Sequence, residues 1–240
     1  MRRKSIFING IIDGMPICLG YLSVAFAFGI FATESGLSVL ETLFISMANV
    51  TSAGQLAAVP IITAGGSLAE LCLCQIVINL RYALMSTSLS QKMDKSIRLL
   101  DRFIIAFVNT DEVFAVASGK RKNVKRSYMY GLILMPYLGW SVGTLTGALA
   151  GNILPETVVS ALGIAIYGMF VAIVVPEMKE NTKTAWAVIL AIVLSCAFEF
   201  LPLLNKVPDG FTVIICAVTA SLIFALAFPI ELKKEECENE

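Results

Sequence analysis

Residues 99–118 read LLDRFIIAFVNTDEVFAVAS. The stretch is apolar enough at both ends to pass for one membrane helix, yet Thr110-Asp111-Glu112 stands inside it, and Asn109 to Glu112 is where a helix is expected to break. A charge or amide at membrane depth costs several kcal/mol unless it faces a cavity or a partner, so by default it marks a function. Two more polar runs interrupt apolar segments in the same way, Ser52-Ala53-Gly54-Gln55 and Asn79-Leu80-Arg81-Tyr82. Whether the interrupted segments cross the membrane or turn back inside it decides the fold.

The rest of the chain supports a membrane setting. It has 240 residues, 57% of them hydrophobic, and a mean hydropathy of +0.81. Charged residues make up 15%, against roughly 25% in soluble domains. An all-α polytopic membrane protein follows, a single transport domain over residues 1–240 with no soluble domain between the apolar segments. Met1-Arg2-Arg3-Lys4 before an apolar stretch could mimic a signal peptide, but Asp13 and Pro16 interrupt its start and more spans follow, so it reads as the first membrane helix. Histidine is absent, and the six cysteines have no zinc-like spacing. No metal or other cofactor is expected. No nucleotide motif or nucleophile–base constellation appears, which argues against an enzyme. The basic run Lys120 to Arg126 is no nucleic-acid site here; it fixes topology and meets anionic headgroups.

A span needs about 20 apolar residues. Eight segments qualify, near 11–33, 38–64, 67–89, 99–118, 128–150, 157–176, 185–204 and 210–229. If all eight cross and both termini are cytoplasmic, the loop with Lys92, Lys95, Arg98 and Arg102 falls outside. Twelve bases then lie inside and five outside. If 38–64 and 99–118 are instead re-entrant hairpins, six helices cross, and sixteen bases lie inside with only Lys206 outside. The hairpins would enter from opposite faces. Residues 8–64 and 67–118 would then form an inverted pair, followed by a four-helix part over 128–229. Broken elements from inverted halves meeting near the midplane are a known transporter arrangement. Eight ordinary crossings are the alternative.

Gln75, Asn79, Tyr82 and Ser86 recur at helical spacing on one face. They either line a pathway or cross-link helices. Arg81, the only base inside an apolar segment, points about 200° away from Asn79; it could hold a substrate carboxylate or a neighbouring acid. Asp111 and Glu112 are adjacent, and two such carboxylates cannot both ionise cheaply, which suits reversible proton binding. Asp13 is a further candidate for proton coupling, although a first-turn acid at a helix N-terminus explains it as well. Gly139, Gly143, Gly147 and Gly151 place four glycines on one helix face, for tight internal packing or for a partner.

Taken in order, these residues resemble the AzlC family of branched-chain amino acid exporters. The matching positions are Gly14 and Pro16, Phe28-Gly29, Ala53-Gly54-Gln55, Asn79-Leu80-Arg81-Tyr82, Thr110-Asp111-Glu112, Pro136, Trp140, Gly143 and Gly147. Members often carry His after Asn-Leu-Arg where this chain has Tyr82, which puts a His-based proton step in doubt. The resemblance implies export of branched-chain amino acids across the bacterial cytoplasmic membrane, driven by the proton-motive force, with a small membrane partner of the AzlD type. A homo-oligomer is left open. On this reading Gly54, Gln55, Asn79, Arg81 and Tyr82 bind the substrate, while Asp111, Glu112 and Asp13 handle protons. A channel for small polar solutes and a non-transporting scaffold are the competing readings.

Overall fold

The structure, a computed structural model, describes residues 6–151 without interruption, then 154, 155, 157, 168 and 171, and then 174–228 except 177, 203 and 205. The chain divides into two compact units, Met1–Val171 and Ala172–Glu240. The described residues of the first unit form seven helices: α1 (Ile6–Glu34), α2 (Val39–Ala48), α3 (Ser52–Thr63), α4 (Leu68–Gln91), α5 (Leu99–Phe107), α6 (Asp111–Ser118) and α7 (Arg126–Gly151). Those of the second unit form α8 (Thr182–Phe200) and α9 (Asp209–Ala227), which pack on each other. Among the described residues, five helices are long and apolar enough to cross a membrane: α1, α4, α7, α8 and α9. The expected segment at 157–176 lies mostly outside the described residues.

The scaffold of the first unit is the pair α1 and α7. They run parallel, with Gly10 of α1 beside Leu132, Gly29 beside Ala148, and Gly139, Gly143 and Gly147 of α7 beside Cys18, Leu22 and Phe26. A methyl group at Gly139 would sit 2.8 Å from Cys18 Sγ, and one at Gly143 2.9 Å from Ala25 Cβ. The glycines therefore let two backbones approach, as small residues do between membrane helices. The glycine face is taken up inside the chain, where α1 occupies it.

The interrupted segments become pairs of half-length helices. At 1.5 Å per residue, α2 and α3 are about 15 and 18 Å long and α5 and α6 about 14 and 12 Å, roughly half of a bilayer core. The first pair starts at the C-terminal end of α1, where Ser38 and Glu41 form a capping box. Ser46 on α2 shares a 2.6 Å hydrogen bond with Thr144 of α7, and the carbonyl of the next residue, Met47, accepts from Tyr137 at 3.3 Å. The element thus advances from the C-terminal end of α7 toward its middle. After the break at Asn49-Val50-Thr51, α3 returns along α4 to a turn in which Gly65 adopts φ +70°, a conformation that suits glycine. Ser67 then caps α4, accepting from Glu70 N–H at 3.1 Å.

The second pair is closed at its base. Asp94 N–H donates to the Val124 carbonyl and Val124 N–H to the Lys92 carbonyl, each at 3.0 Å. The Lys92 ammonium also donates to the Ser118 carbonyl. The chain therefore leaves α4 and re-emerges from α6 at one place. Asp101 at the start of α5 binds Arg126 at 2.8 Å and Tyr130 at 2.7 Å, both on the first turns of α7. Phe107 at the far end of α5 meets Tyr137, with ring centroids 6.3 Å apart. So α5 runs from the start of α7 to its middle, and α6 turns back. Nearby, Asp94 accepts the Ser96 N–H at 2.9 Å, which holds its carboxyl below the usual carboxylate range. The N-terminal ends of α1 and α7, the C-terminal end of α4 and the basic loops thus share one end of the unit. The two hairpins enter the unit from opposite ends, the arrangement that the charge count favoured, and none of their four helices is long enough to span.

Candidate functional site

Both hairpin breaks arrive at the same place. Asn49 and Thr51 from the first, Phe107 and Asn109 from the second, and Asn79 and Tyr82 from α4 line a cavity of about 150 Å³. The lining includes Ala48 and Asn49 at the C-terminal end of α2, Ala106 and Phe107 at that of α5, Thr51 before α3, and Asn109 two residues before α6. Thr51 and Thr110 stand at the N-cap positions of α3 and α6 without a side-chain capping bond. Helix ends of both kinds therefore lie at or next to one small volume, and such ends carry partial charges of opposite sign.

Amides organise its wall. Gln75 Oε1 accepts from Asn49 Nδ2 at 2.9 Å and from Asn79 Nδ2 at 3.1 Å, while its own Nε2 donates to the Gly54 carbonyl at 2.8 Å. Thr51 donates to Asn49 Oδ1 at 2.6 Å, and Asn109 Nδ2 to Ser86 Oγ at 3.1 Å. These bonds fix the amide orientations and leave Asn79 Oδ1 and Asn109 Oδ1 buried with no partner among the described residues. A buried acceptor left unmade costs about 1–3 kcal/mol. Asn109 is 2% exposed, so solvent at the surface does not relieve it. Gly54 is required where the hairpin meets this network, since a Cβ there would lie 2.7 Å from Gln75 Oε1 and 3.1 Å from Asn79 Nδ2.

A charged edge adjoins the cavity. Arg81 pairs with Asp111 at 2.7 Å, donates to the Tyr82 hydroxyl at 3.2 Å, and lies 5.0 Å from the Tyr82 ring centroid. The Arg81 and Asp111 side chains are 56% and 48% exposed. Glu112 turns the other way and accepts a short hydrogen bond from Tyr21 of α1. The adjacent carboxylates are thus divided between a guanidinium and a phenol. Tyr21 packs edge-on against Trp140 at 4.9 Å, and Trp140 Nε1 donates to Gln55 Oε1 at 3.2 Å. An indole N–H only donates, so it fixes which end of the Gln55 amide faces it. The line Glu112–Tyr21–Trp140–Gln55 ties the second hairpin to the first through the scaffold.

Of the residues expected at the site, Asn79 and Tyr82 line the cavity, Gly54 shapes its wall, and Arg81 meets Asp111 beside it. Gln55 is fully buried against Trp140 and is absent from the cavity lining. Asp13 lies elsewhere: it binds Lys120 and Tyr128, each at 2.7 Å, about 12 Å along α1 from Tyr21. Asn49 and Asn109 were legible only as break points, and Tyr21 carried no signal, since one tyrosine in an apolar helix is unremarkable. Among the described residues no group of three His, Cys, Asp or Glu side chains could hold a metal.

A family model described as AzlC protein matches residues 16–154, a range that includes the cavity, the charged edge, Tyr21 and Trp140 but not Asp13. An uncharacterized membrane protein of Archaeoglobus fulgidus is 33% identical over 181 residues, 75% of this chain and 79% of that protein. Inner membrane protein YgaZ of Escherichia coli is 32% identical over 182 residues, 73% of this chain and 74% of that protein. An uncharacterized membrane protein of Helicobacter pylori is 26% identical over 211 residues, 81% and 87% of the two chains. No solved structure matches.

Proposed function

The chain belongs to the AzlC family, and on that premise we propose that it is a secondary transporter exporting branched-chain and similar apolar amino acids across the cytoplasmic membrane. The observation that carries this reading is the cavity where the two hairpin breaks meet. A zwitterion needs a positive site for its carboxylate, which the N-terminal ends of α3 and α6 supply. It needs acceptors for its ammonium, which Asn79 Oδ1, Asn109 Oδ1 and the terminal carbonyls of α2 and α5 supply. Phe107 and Val50 give apolar wall for an aliphatic side chain. The volume, about 150 Å³, suits a small solute held by the backbone around it.

Export is driven by the proton-motive force, with the proton carried by Asp111 or Glu112. Arg81 competes for Asp111 and Tyr21 holds Glu112, so protonating either acid weakens a bond that anchors the second hairpin. The end of the first unit that carries the basic loops is cytoplasmic, and the charge count assigns both termini to the cytoplasmic side. The half-exposed Arg81–Asp111 pair at mid-depth calls for cover from water or protein, because a lipid-facing ion pair is costly. A small membrane partner of the AzlD type, or a second copy, would provide it.

The experiment is L-leucine efflux from loaded proteoliposomes, with and without a pH gradient and a co-reconstituted small partner. The reading expects efflux against a leucine gradient that collapses with a protonophore. Efflux only down the gradient, indifferent to the protonophore, would mean a facilitator instead. No leucine flux under any of these conditions would leave a scaffold.

A further inference from the structure

A second cavity, of about 280 Å³, lies between the C-terminal half of α4 and α5, and it shares Ala106 and Asn109 with the central one. Its inner wall is apolar, with Leu89 and Ile105 almost fully buried and Phe103 at the side. At its basic-loop end stands Arg102, half-buried on the first turn of α5. The carboxylate next to it in the chain, Asp101, is held by Arg126 and Tyr130. Arg102 makes no ion pair among the described residues, whereas Arg81 and Arg126 each do. Between the two cavities, Asn109 Nδ2 is held by Ser86.

We propose that the α4–α5 cavity is a loading site for the transported amino acid on the basic-loop side, in which Arg102 takes the carboxylate and Leu89, Phe103 and Ile105 receive the aliphatic side chain. The proposal rests on the transport reading above and adds to it a second, outer position for the same class of substrate. A guanidinium suits a carboxylate because it can donate two parallel hydrogen bonds. An apolar wall in the same cavity selects an aliphatic amino acid over a bare anion. An arginine that merely reached out to lipid headgroups would have no need of a walled cavity ending in fully buried Leu89 and Ile105. The two cavities share Asn109, which Ser86 holds and whose unpartnered amide oxygen belongs to the central one, so the substrate would pass this contact between them.

The test is L-leucine uptake into inverted membrane vesicles, which present the cytoplasmic face to the bath, with the protein as it exists in its membrane. Arg102→Gln is expected to raise KM about 10- to 100-fold, the loss of a charge-assisted contact, with kcat within about twofold. Arg102→Lys keeps the charge without the fork and is expected to fall between. Leucinamide, which lacks the carboxylate, is expected to compete less well than L-leucine against the wild type, and the gap is expected to narrow in Arg102→Gln. Lys95→Gln, at the same end but outside the cavity, is expected to leave KM unchanged. An unchanged KM in Arg102→Gln while the wild type transports leucine overturns the loading site and spares the transport reading, as does an equal rise in Lys95→Gln. Absence of leucine uptake by the wild type overturns both. Should Arg102→Gln fail to reach the membrane, the Arg102→Lys KM decides: a wild-type value overturns the site.

Discussion

At the scale of single residues, the charged edge and the amide wall respond differently to substitution. Arg81→Gln and Asp111→Asn each leave a charge without its partner, so each is expected to abolish leucine export while the protein still inserts. The double variant is expected to unfold at a higher temperature than either single one, because removing both charges leaves none uncompensated; thermal unfolding in detergent, read beside transport, checks this. Gly54→Ala forces a methyl group against Gln75 and Asn79. Its expected cost is about 1–3 kcal/mol of stability, with loss of transport, measured in the same way. Much of this edge was legible in the sequence, because a base or an amide in an apolar segment is anomalous wherever it lies. What could not be read is which polar residues share a cavity. Gln55 sits beside Gly54 in the chain yet turns to Trp140, and Tyr21 meets Glu112 across 91 positions. Such contacts depend on the packing of α1 on α7, which no local pattern encodes.

At the scale of elements, the decisive quantity is helix length. Segments 38–64 and 99–118 are each long enough to cross, but their polar breaks cut them into helices of 8 to 12 residues, too short for a span. The glycine spacing of α7 announced a close contact without naming its partner, which proves to be α1. The pair makes a prediction of opposite signs. Gly143→Ala brings a methyl group onto Leu22 and Ala25 and is expected to destabilise by about 1–3 kcal/mol. Gly20→Ala, where a Cβ meets nothing within 4 Å, is expected to be neutral or to stabilise by about 0.5–1 kcal/mol through helix propensity. Thermal unfolding of the two variants tests whether α1 and α7 form the scaffold. A similar loss in both would show that helix propensity, not contact, governs these positions.

At the scale of the whole molecule, charge counting chose between two topologies that local hydropathy could not separate. Five bases outside against one was the only discriminating signal, and the closure of 92–94 on 118–124 agrees with it. In a variant without the exposed Cys72 and Cys196, Lys95→Cys is expected to react with an impermeant maleimide only from the cytoplasmic side and Gly36→Cys only from the opposite side. Labelling of both from one side would contradict the opposed hairpins. The central claim is that the amino acid passes through the volume between the two breaks, and substrate protection tests it most directly. Ala106→Cys, in the same cysteine-depleted background, places a thiol where both cavities meet. The measurement is its rate of alkylation by a small permeant reagent in leucine-transporting vesicles. Saturating L-leucine is expected to slow that rate at least about fivefold, with the Lys95→Cys rate unaffected. An Ala106→Cys rate that leucine leaves unchanged, in vesicles that still transport it, would place the pathway elsewhere.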